Sequence, residues 1–157
     1  MTSEEMLEKA ENDFTSFLEQ RGLRKTPERF AILRKAFTYQ SHFTAESIHA
    51  DLESESYHVS LATVYNTIRL LSECEIVRSH LFGDGHTQYE IAVGNHLHLI
   101  CMQCGKIREV DDQRLLAPLV SKKYRLFKAS YASGYIYGIC ARCARQNKKE
   151  TKNRNSE

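Results

Sequence analysis

Apolar residues in the first half of the chain recur at helical spacing. Four successive segments each place apolar side chains every three or four positions, leaving the opposite face polar. Thr26, Thr44 and Ser60 stand directly before three of these segments, where a hydroxyl can cap a helix, and Pro27 suits a first helical position. The apolar stripe of the fourth segment, "LATVYNTIRLLSEC", consists of Leu61, Val64, Ile68 and Leu71. The pattern predicts four amphipathic helices packed around one core.

After the fourth helix, the apolar residues no longer recur at helical spacing. Residues 75–92, "EIVRSHLFGDGHTQYEIA", contain two extended runs joined by Gly83, Asp84 and Gly85, which is typical of a β-hairpin with a bulged turn. Helices followed by such a hairpin predict a winged helix over residues 1–92. The polar face of the fourth helix would then be the recognition surface for DNA bases. A small α+β domain without a ligand is the alternative, because fold does not imply function.

Strand patterns dominate the second half. Residues 96–110, "HLHLICMQCGKIREV", predict two strands around a Cys-x-x-Cys-Gly turn, and Asp111 can cap a helix that follows. Residues 124–140 alternate like one long strand. We therefore expect a small α/β domain over residues 93–144, which makes the whole chain α+β. Residues 145–157 are polar, basic and without apolar periodicity, which predicts a disordered tail.

Two Cys-x-x-Cys pairs, Cys101 with Cys104 and Cys140 with Cys143, flank this second domain. Four thiolates complete a tetrahedral zinc site and leave no position for water or substrate, so such a site would be structural. Disulfides or a redox dithiol are the alternatives. The fifth cysteine, Cys74, is interpreted as an ordinary half-buried thiol and not as a sensor.

Composition and charge limit the functional classes of protein to which this chain can belong. The chain has 157 residues, 41% of them hydrophobic, and a net charge of +2. Residues 21–35, "RGLRKTPERFAILRK", hold six basic residues and one acid, a candidate phosphate-binding patch, although a solvated helix face would look the same. We find no apolar run of membrane-spanning length and no features of a signal peptide, so we expect a cytoplasmic protein without a membrane partner.

Several of these segments together resemble one known family. "GLRKTPER", "LATVYNTIRLL", the hairpin end "YEI", "HLHLICMQCGK" and the terminal "CARC" follow the order of the ferric uptake regulator family. The resemblance implies a homodimeric, metal-responsive transcription factor, commonly a repressor of metal uptake genes, with an N-terminal winged helix and a C-terminal dimerisation domain containing the four-cysteine structural zinc. Its partner would be a pseudo-palindromic, A/T-rich operator in double-stranded DNA.

Patterning and resemblance together give the expected DNA-contacting residues. These are Arg24, Lys25, Thr63, Tyr65, Asn66 and Arg69. Asn66 follows the tyrosine at a position where the family commonly has arginine. Asparagine can pair with adenine but carries no charge for phosphate or guanine, so the operator is expected to differ from the common family sequence.

The resemblance also implies a regulatory metal site. Its ligands correspond to His42, Glu90, His96, His98 and Glu109. Nitrogen and oxygen donors suit a divalent transition metal, and ligands distributed over both domains would let one ion fix the angle between them. Taken singly, each ligand has an ordinary interpretation as a helix-end or strand-surface residue. The remaining histidines, His49, His58, His80 and His86, fit no predicted cluster.

The chemistry of the ligands gives an expectation about which effector is sensed. Fe²⁺ is the first choice, since both carboxylate ligands are glutamates, as in the iron-responsive branch, whereas the peroxide-sensing branch usually has aspartates. Zinc, manganese, peroxide and haem are alternatives. A metal-dependent hydrolase is a different class of interpretation, but five protein ligands would leave little room for catalytic water. We therefore predict a regulator that is not an enzyme.

Overall fold

A computed structural model describes residues 2–81, 87–92 and 94–154. The chain forms two compact units, Met1–Ala92 and Val93–Glu157, called here the first and second units. No helix among the described residues combines the length and apolar character needed to cross a membrane.

The first unit begins with four helices. They are α1 (Ser3–Gln20), α2 (Pro27–Thr38), α3 (Ala45–Ser54) and α4 (Leu61–Glu73). The predicted caps at Thr44 and Ser60 are confirmed, because each side-chain oxygen accepts a hydrogen bond from the backbone N–H three residues later. Thr26 precedes α2 without a side-chain cap, and Pro27 begins that helix.

The core of the first unit comes from the apolar faces of these helices. Its fully buried members include Phe14, Leu18, Ile32, Leu33, Ile48, Val64, Ile68 and Leu71. Burial of each such side chain contributes about 1.5–3 kcal/mol. Leu61 differs from the prediction, since it is 36% exposed. It is the first residue of α4, so the buried stripe starts one turn later, at Val64.

A two-stranded antiparallel hairpin completes the first unit. Strand β1 (Val77–Leu81) pairs with β2 (Thr87–Ile91), and Arg78 lies opposite Glu90. The predicted turn at Gly83 to Gly85 lies outside the described residues. Four helices followed by this hairpin confirm the winged-helix prediction.

The second unit contains a three-stranded mixed sheet in the order β4-β3-β5. Strand β3 (His96–Cys101) pairs antiparallel with β4 (Ile107–Val110) and parallel with β5 (Ser133–Gly138). A parallel pair requires a long crossover, and α5 (Gln113–Ser121) lies within it. Helix α6 (Ala141–Arg154) follows β5.

Three predictions for the second unit need correction. Helix α5 is capped by Asp112 rather than Asp111. The long strand expected over residues 124–140 is reduced to Ser133–Gly138, the stretch that pairs with β3. The tail predicted to be disordered is helical as far as Arg154, because α6 continues from the second cysteine pair through residues with good helix propensity, including glutamine, lysine, glutamate and arginine.

Candidate metal centres and nucleic-acid surface

The four paired cysteines of the second unit converge. Cys101 and Cys104 lie at the turn between β3 and β4, while Cys140 and Cys143 lie at the start of α6. Their sulfur atoms all lie within 4.8 Å of one another, and Cys104 Sγ is 3.8 Å from Cys140 Sγ. A tetrahedral zinc with bonds of about 2.3 Å separates its sulfur ligands by about 3.8 Å. The arrangement therefore fits a closed four-thiolate metal site.

Backbone hydrogen bonds assemble this cluster. The N–H of Met102 donates to the carbonyl of Gly138 at 2.8 Å, which joins the turn to the end of β5. Gly105 adopts a positive φ of 70° and donates to the carbonyl of Cys101, closing the turn. Gln103 and Asn147 exchange two side-chain amide hydrogen bonds of 3.2 and 3.1 Å, which join the turn to α6.

The electrostatic setting favours thiolates at the turn. The N–H of Cys140 donates to Cys101 Sγ at 3.3 Å, and this bond is the main cause that lowers the pKa of Cys101 to about 6. The pKa of Cys104 is also lowered, chiefly by a hydrogen bond from the backbone of Lys106. Burial raises the pKa of Cys143. Cys101 and Cys104 are thus prepared to bind metal as thiolates.

In the first unit, a single backbone bridge brings His42 beside Glu90. The N–H and carbonyl of Phe43 exchange hydrogen bonds of 2.8 Å with those of Tyr89. The next residues outward in this antiparallel pair are His42 and Glu90, and His42 Nε2 lies 3.3 Å from Glu90 Oε2. Both side chains are nearly inaccessible to solvent. The structure thus brings together the two predicted regulatory ligands of this unit.

His80 is a third member of this cluster, although it was not among the ligands predicted from the sequence. Its Nε2 lies 2.8 Å from Glu90 Oε1, and its ring is buried against that of His42 in an edge-to-face arrangement. His42, His80 and Glu90 offer donor atoms within 4.8 Å of one another. Arg78 of β1 pairs with Glu90 of β2, and side chains two residues apart on a strand point to the same face. His80 therefore lies on the same face of the hairpin as Glu90. Only the hairpin register reveals this relationship.

The second unit holds the other three predicted regulatory ligands. His96 and His98 lie on the same face of β3, with ring centroids 4.7 Å apart, and Glu109 of β4 pairs directly with His98. Donor atoms of these three residues lie within 4.8 Å of one another. His98 is fully buried and stacks on Tyr135 at 5.3 Å, which fixes the plane of its imidazole. Two imidazoles and a carboxylate suit a divalent transition metal.

The predicted DNA surface follows one side of α4. Tyr65, Asn66 and Arg69 are exposed, and Thr63 is half-buried, with its hydroxyl 2.8 Å from that of Ser60. The hydroxyl of Tyr65 donates to Glu46 of α3, and this bond is the main cause that raises the pKa of Tyr65.

Carboxylates accompany most of the basic residues predicted to contact DNA. Arg69 contacts Glu73 at 2.6 Å, and Lys25 contacts Glu19 at 2.5 Å. These pairs are largely accessible to solvent, so they contribute little to stability. Arg24 is exposed in the segment between α1 and α2. The six residues thus occupy an exposed face of α4 and the segment that precedes α2.

Comparison with known proteins bears on both units. The model of the "Ferric uptake regulator family" matches residues 20–131. The peroxide operon regulator of Bacillus subtilis strain 168 is 34% identical over 134 residues, which cover 82% of this chain and 90% of that protein. The peroxide-responsive repressor PerR of Staphylococcus aureus strain Mu50 is 36% identical over 132 residues, covering 80% and 86%.

The comparison with a solved structure agrees with these sequence matches. The ferric uptake regulator of Pseudomonas aeruginosa with manganese superposes with a TM-score of 0.64 at 26% identity, covering 81% of this chain and 97% of that one. The family match runs from the end of α1 through the hairpin of the first unit and beyond α5 in the second unit. The chain therefore belongs to the ferric uptake regulator family, whose members are metal-responsive transcription regulators rather than enzymes.

Proposed function

We propose that one regulatory metal ion, held jointly by both units, sets the operator affinity of this regulator. Its ligands would be His42 and Glu90 from the first unit and His96, His98 and Glu109 from the second. The observation that supports this proposal is the division of the donors: each unit gathers nitrogen and oxygen ligands around one point. A shared ion would favour the arrangement of units that it binds more tightly, which is the requirement for a metal-driven switch.

We further propose that the four-cysteine site holds zinc and has a structural role. All four positions would be occupied by thiolates, so substrate has no place to bind. The site joins the β3–β4 turn to the beginning of α6, and its binding free energy would add to the folding free energy of the second unit.

Fe²⁺ is the proposed effector. Three imidazoles and two carboxylates suit a borderline divalent ion, and the two glutamates favour an iron-responsive repressor of metal uptake genes. A peroxide response is the second candidate, because the two curated relatives at 34% and 36% identity are named as peroxide regulators. Stoichiometric peroxide would distinguish the two candidates experimentally, because only a peroxide-responsive regulator should release its operator at that dose.

The proposed partners are a second copy of the chain and operator DNA in the cytoplasm. Strand β5 is an edge of its sheet, and Ile136 and Tyr137 on it are 50% and 56% exposed. Pairing of this edge with a second copy would bury apolar surface and satisfy backbone groups. A two-fold dimer would present α4 twice, which calls for a pseudo-palindromic operator. The operator is expected to be A/T-rich.

One titration tests the metal proposal. Operator DNA is selected from a random duplex library with Mn²⁺-loaded protein, and affinity is then measured anaerobically with Fe²⁺, Mn²⁺, Zn²⁺ or haem while the cysteine site holds zinc. We expect Fe²⁺ and Mn²⁺ to tighten operator binding at least about tenfold. Operator affinity that is independent of every added metal would contradict the proposal. If stoichiometric peroxide releases the Fe²⁺-bound protein from the operator, the second candidate, a peroxide response, would be favoured.

A further inference from the structure

Two imidazoles converge on the carboxylate of Glu90 within the first unit. His80 Nε2 lies 2.8 Å from Glu90 Oε1, and His42 Nε2 lies 3.3 Å from Glu90 Oε2. The exposed fraction of each of these three side chains is 5% or less, so the contacts form away from water. All three residues belong to the first unit. Two nitrogen donors and one carboxylate are therefore gathered there without any residue of the second unit.

The contact between His80 and Glu90 is close, but it lacks the geometry of an N–H···O hydrogen bond. A nitrogen lone pair and a carboxylate oxygen that approach without such a bond repel each other. A metal ion that accepts both atoms as ligands would turn this repulsion into attraction, and it would compensate the charge of the buried carboxylate. The contact is thus better suited to two ligands of one cation than to an imidazole that donates to Glu90.

The separations of the donor atoms also fit one ion. Ligands with bonds of about 2.1 Å to an octahedral ion lie about 3.0 Å apart at adjacent positions. The observed separations of 2.8 and 3.3 Å lie on either side of this value. One donor atom of each of His42, His80 and Glu90 lies within 4.8 Å of the other two. Two imidazoles and one carboxylate form the ligand set of three-ligand Fe²⁺ sites, which keep open positions.

Backbone pairing holds all three ligands in place. The bridge between Phe43 and Tyr89 brings His42 beside Glu90, since each ligand is the sequence neighbour of a bridge residue. The pairing of β1 with β2 brings His80 to the same face, two residues along β1 from the partner of Glu90. The donors therefore depend on main-chain hydrogen bonds of the first unit, which reduces the reorganisation needed to bind an ion.

We propose that His42, His80 and Glu90 form a three-ligand site for a divalent transition metal, complete within the first unit. The inference rests on the proposed regulatory site, with which it shares His42 and Glu90, and it adds His80 as a ligand. Three protein ligands leave coordination positions open, and the ligands of the second unit would fill them. Capture of the ion by the first unit is then a separate step from the change in arrangement that sets operator affinity.

The test removes donors of the second unit and titrates the full-length protein with Co²⁺ while zinc occupies the cysteine site. The double variant His96→Gln, Glu109→Gln should still bind one equivalent of Co²⁺, because its first-unit ligands are intact. Adding His80→Ala or His80→Phe should weaken this binding by more than about 100-fold, whereas residues that only orient a ligand typically contribute about 10- to 100-fold. Phenylalanine keeps a ring beside that of His42, so its effect reports the missing nitrogen.

Proton NMR of the Co²⁺-loaded wild-type chain gives a second readout. Each imidazole bound to Co²⁺ carries an N–H proton whose resonance is shifted far outside the usual range and disappears in D₂O. His80→Phe should remove one of these resonances, and His58→Ala should remove none. His58 is the matched control, because it also belongs to the first unit and forms a 2.9 Å pair with Glu53, but it is 78% exposed.

Three results would overturn the proposal. They are a double variant that binds no Co²⁺, a His80 replacement that weakens Co²⁺ binding by only about 100-fold or less, and an unchanged set of shifted resonances in His80→Phe. The proposed function is read separately, from operator affinity. If the wild-type operator affinity is independent of metal while Co²⁺ binding still requires His80, the three-ligand site stands and the shared-ion switch is wrong. If the operator affinity responds to metal but the double variant binds no Co²⁺, the switch stands and the three-ligand site is wrong.

Discussion

His42 and Glu90 lie side by side because Phe43 and Tyr89 form a backbone bridge between the start of α3 and strand β2. The bridge thereby brings together the two proposed metal ligands of the first unit. The second group, with His96, is organised independently by the β3–β4 pairing. A metal that needs both groups would report on the arrangement of the two units.

Removal of one anchor from either unit should uncouple metal from DNA. We expect His42→Ala and His96→Ala each to reduce the metal-stimulated gain in operator affinity by at least about tenfold, because differential affinity for one arrangement drives the switch. Fluorescence anisotropy with and without Mn²⁺ measures this gain. Zinc content and dimer mass should stay unchanged, since neither histidine belongs to the cysteine cluster. A wild-type response to metal in both variants would exclude the proposed site.

The cysteine site should be required for the fold of the second unit. Cys101→Ser or Cys140→Ser should remove tightly held zinc and unfold this unit, because the metal contributes folding free energy directly. Zinc content by mass spectrometry, circular dichroism and dimer mass provide the measurements. Cys74→Ser is the matched control, since Cys74 lies outside the cluster. A zinc-free variant that remains a fully folded dimer would refute the structural role.

Local sequence signals were sufficient for much of the architecture. The caps at Thr44 and Ser60 and the paired cysteines each depend on spacing over a few residues, and the structure matches them. His80 was missed because its relation to Glu90 depends on hairpin register, which a five-residue gap between strands does not specify.

Two errors in the second unit have physical explanations of their own. The alternating pattern of residues 124–140 predicts a strand wherever a partner is available, yet only Ser133–Gly138 has β3 beside it. The polar end of the chain lacks an apolar face, so periodicity could not indicate that α6 extends to Arg154. For the strand, the decisive information was the neighbouring element rather than the segment itself.

Cys74 should behave as an inert thiol near neutral pH. Burial raises its pKa to about 11, so its reactive thiolate becomes more abundant as pH rises toward that value. In the zinc-loaded protein, we expect the rate of Cys74 alkylation by iodoacetamide to increase about tenfold per pH unit between pH 8 and 10. Peptide mapping after timed quenching measures the rate. An alkylation rate that levels off above about pH 8.5, the ordinary pKa of a free thiol, would show that burial does not control the reactivity of Cys74.

Arg24 should contribute an electrostatic contact to DNA. Arg24→Ala should weaken operator binding and reduce the slope of log affinity against log salt by about 1, because one phosphate contact releases about one counterion. Binding isotherms at several salt concentrations give the slope. Arg114→Ala provides a control, since Arg114 is also exposed but lies in the second unit. Unchanged affinity and slope in Arg24→Ala would remove this residue from the interface.

The bond between Tyr65 and Glu46 places a carboxylate beside the predicted recognition face of α4. Glu46→Gln removes that negative charge and weakens the hydrogen bond that the Tyr65 hydroxyl donates. Binding to random DNA should therefore strengthen, while the preference for operator over random DNA falls by about three- to tenfold, since an oriented contact is lost. Tyr65→Phe preserves the charge, so it should lower the same preference without strengthening binding to random DNA.

Competition binding against random duplex measures that preference for both variants. Glu55→Gln is the matched control, because Glu55 forms its ion pair with Lys35 instead of a residue of α4. If Glu46→Gln strengthens operator and random binding equally and Tyr65→Phe matches the wild type, then Glu46 acts only as a repulsive charge. In that outcome the hydroxyl of Tyr65 would have no part in operator recognition.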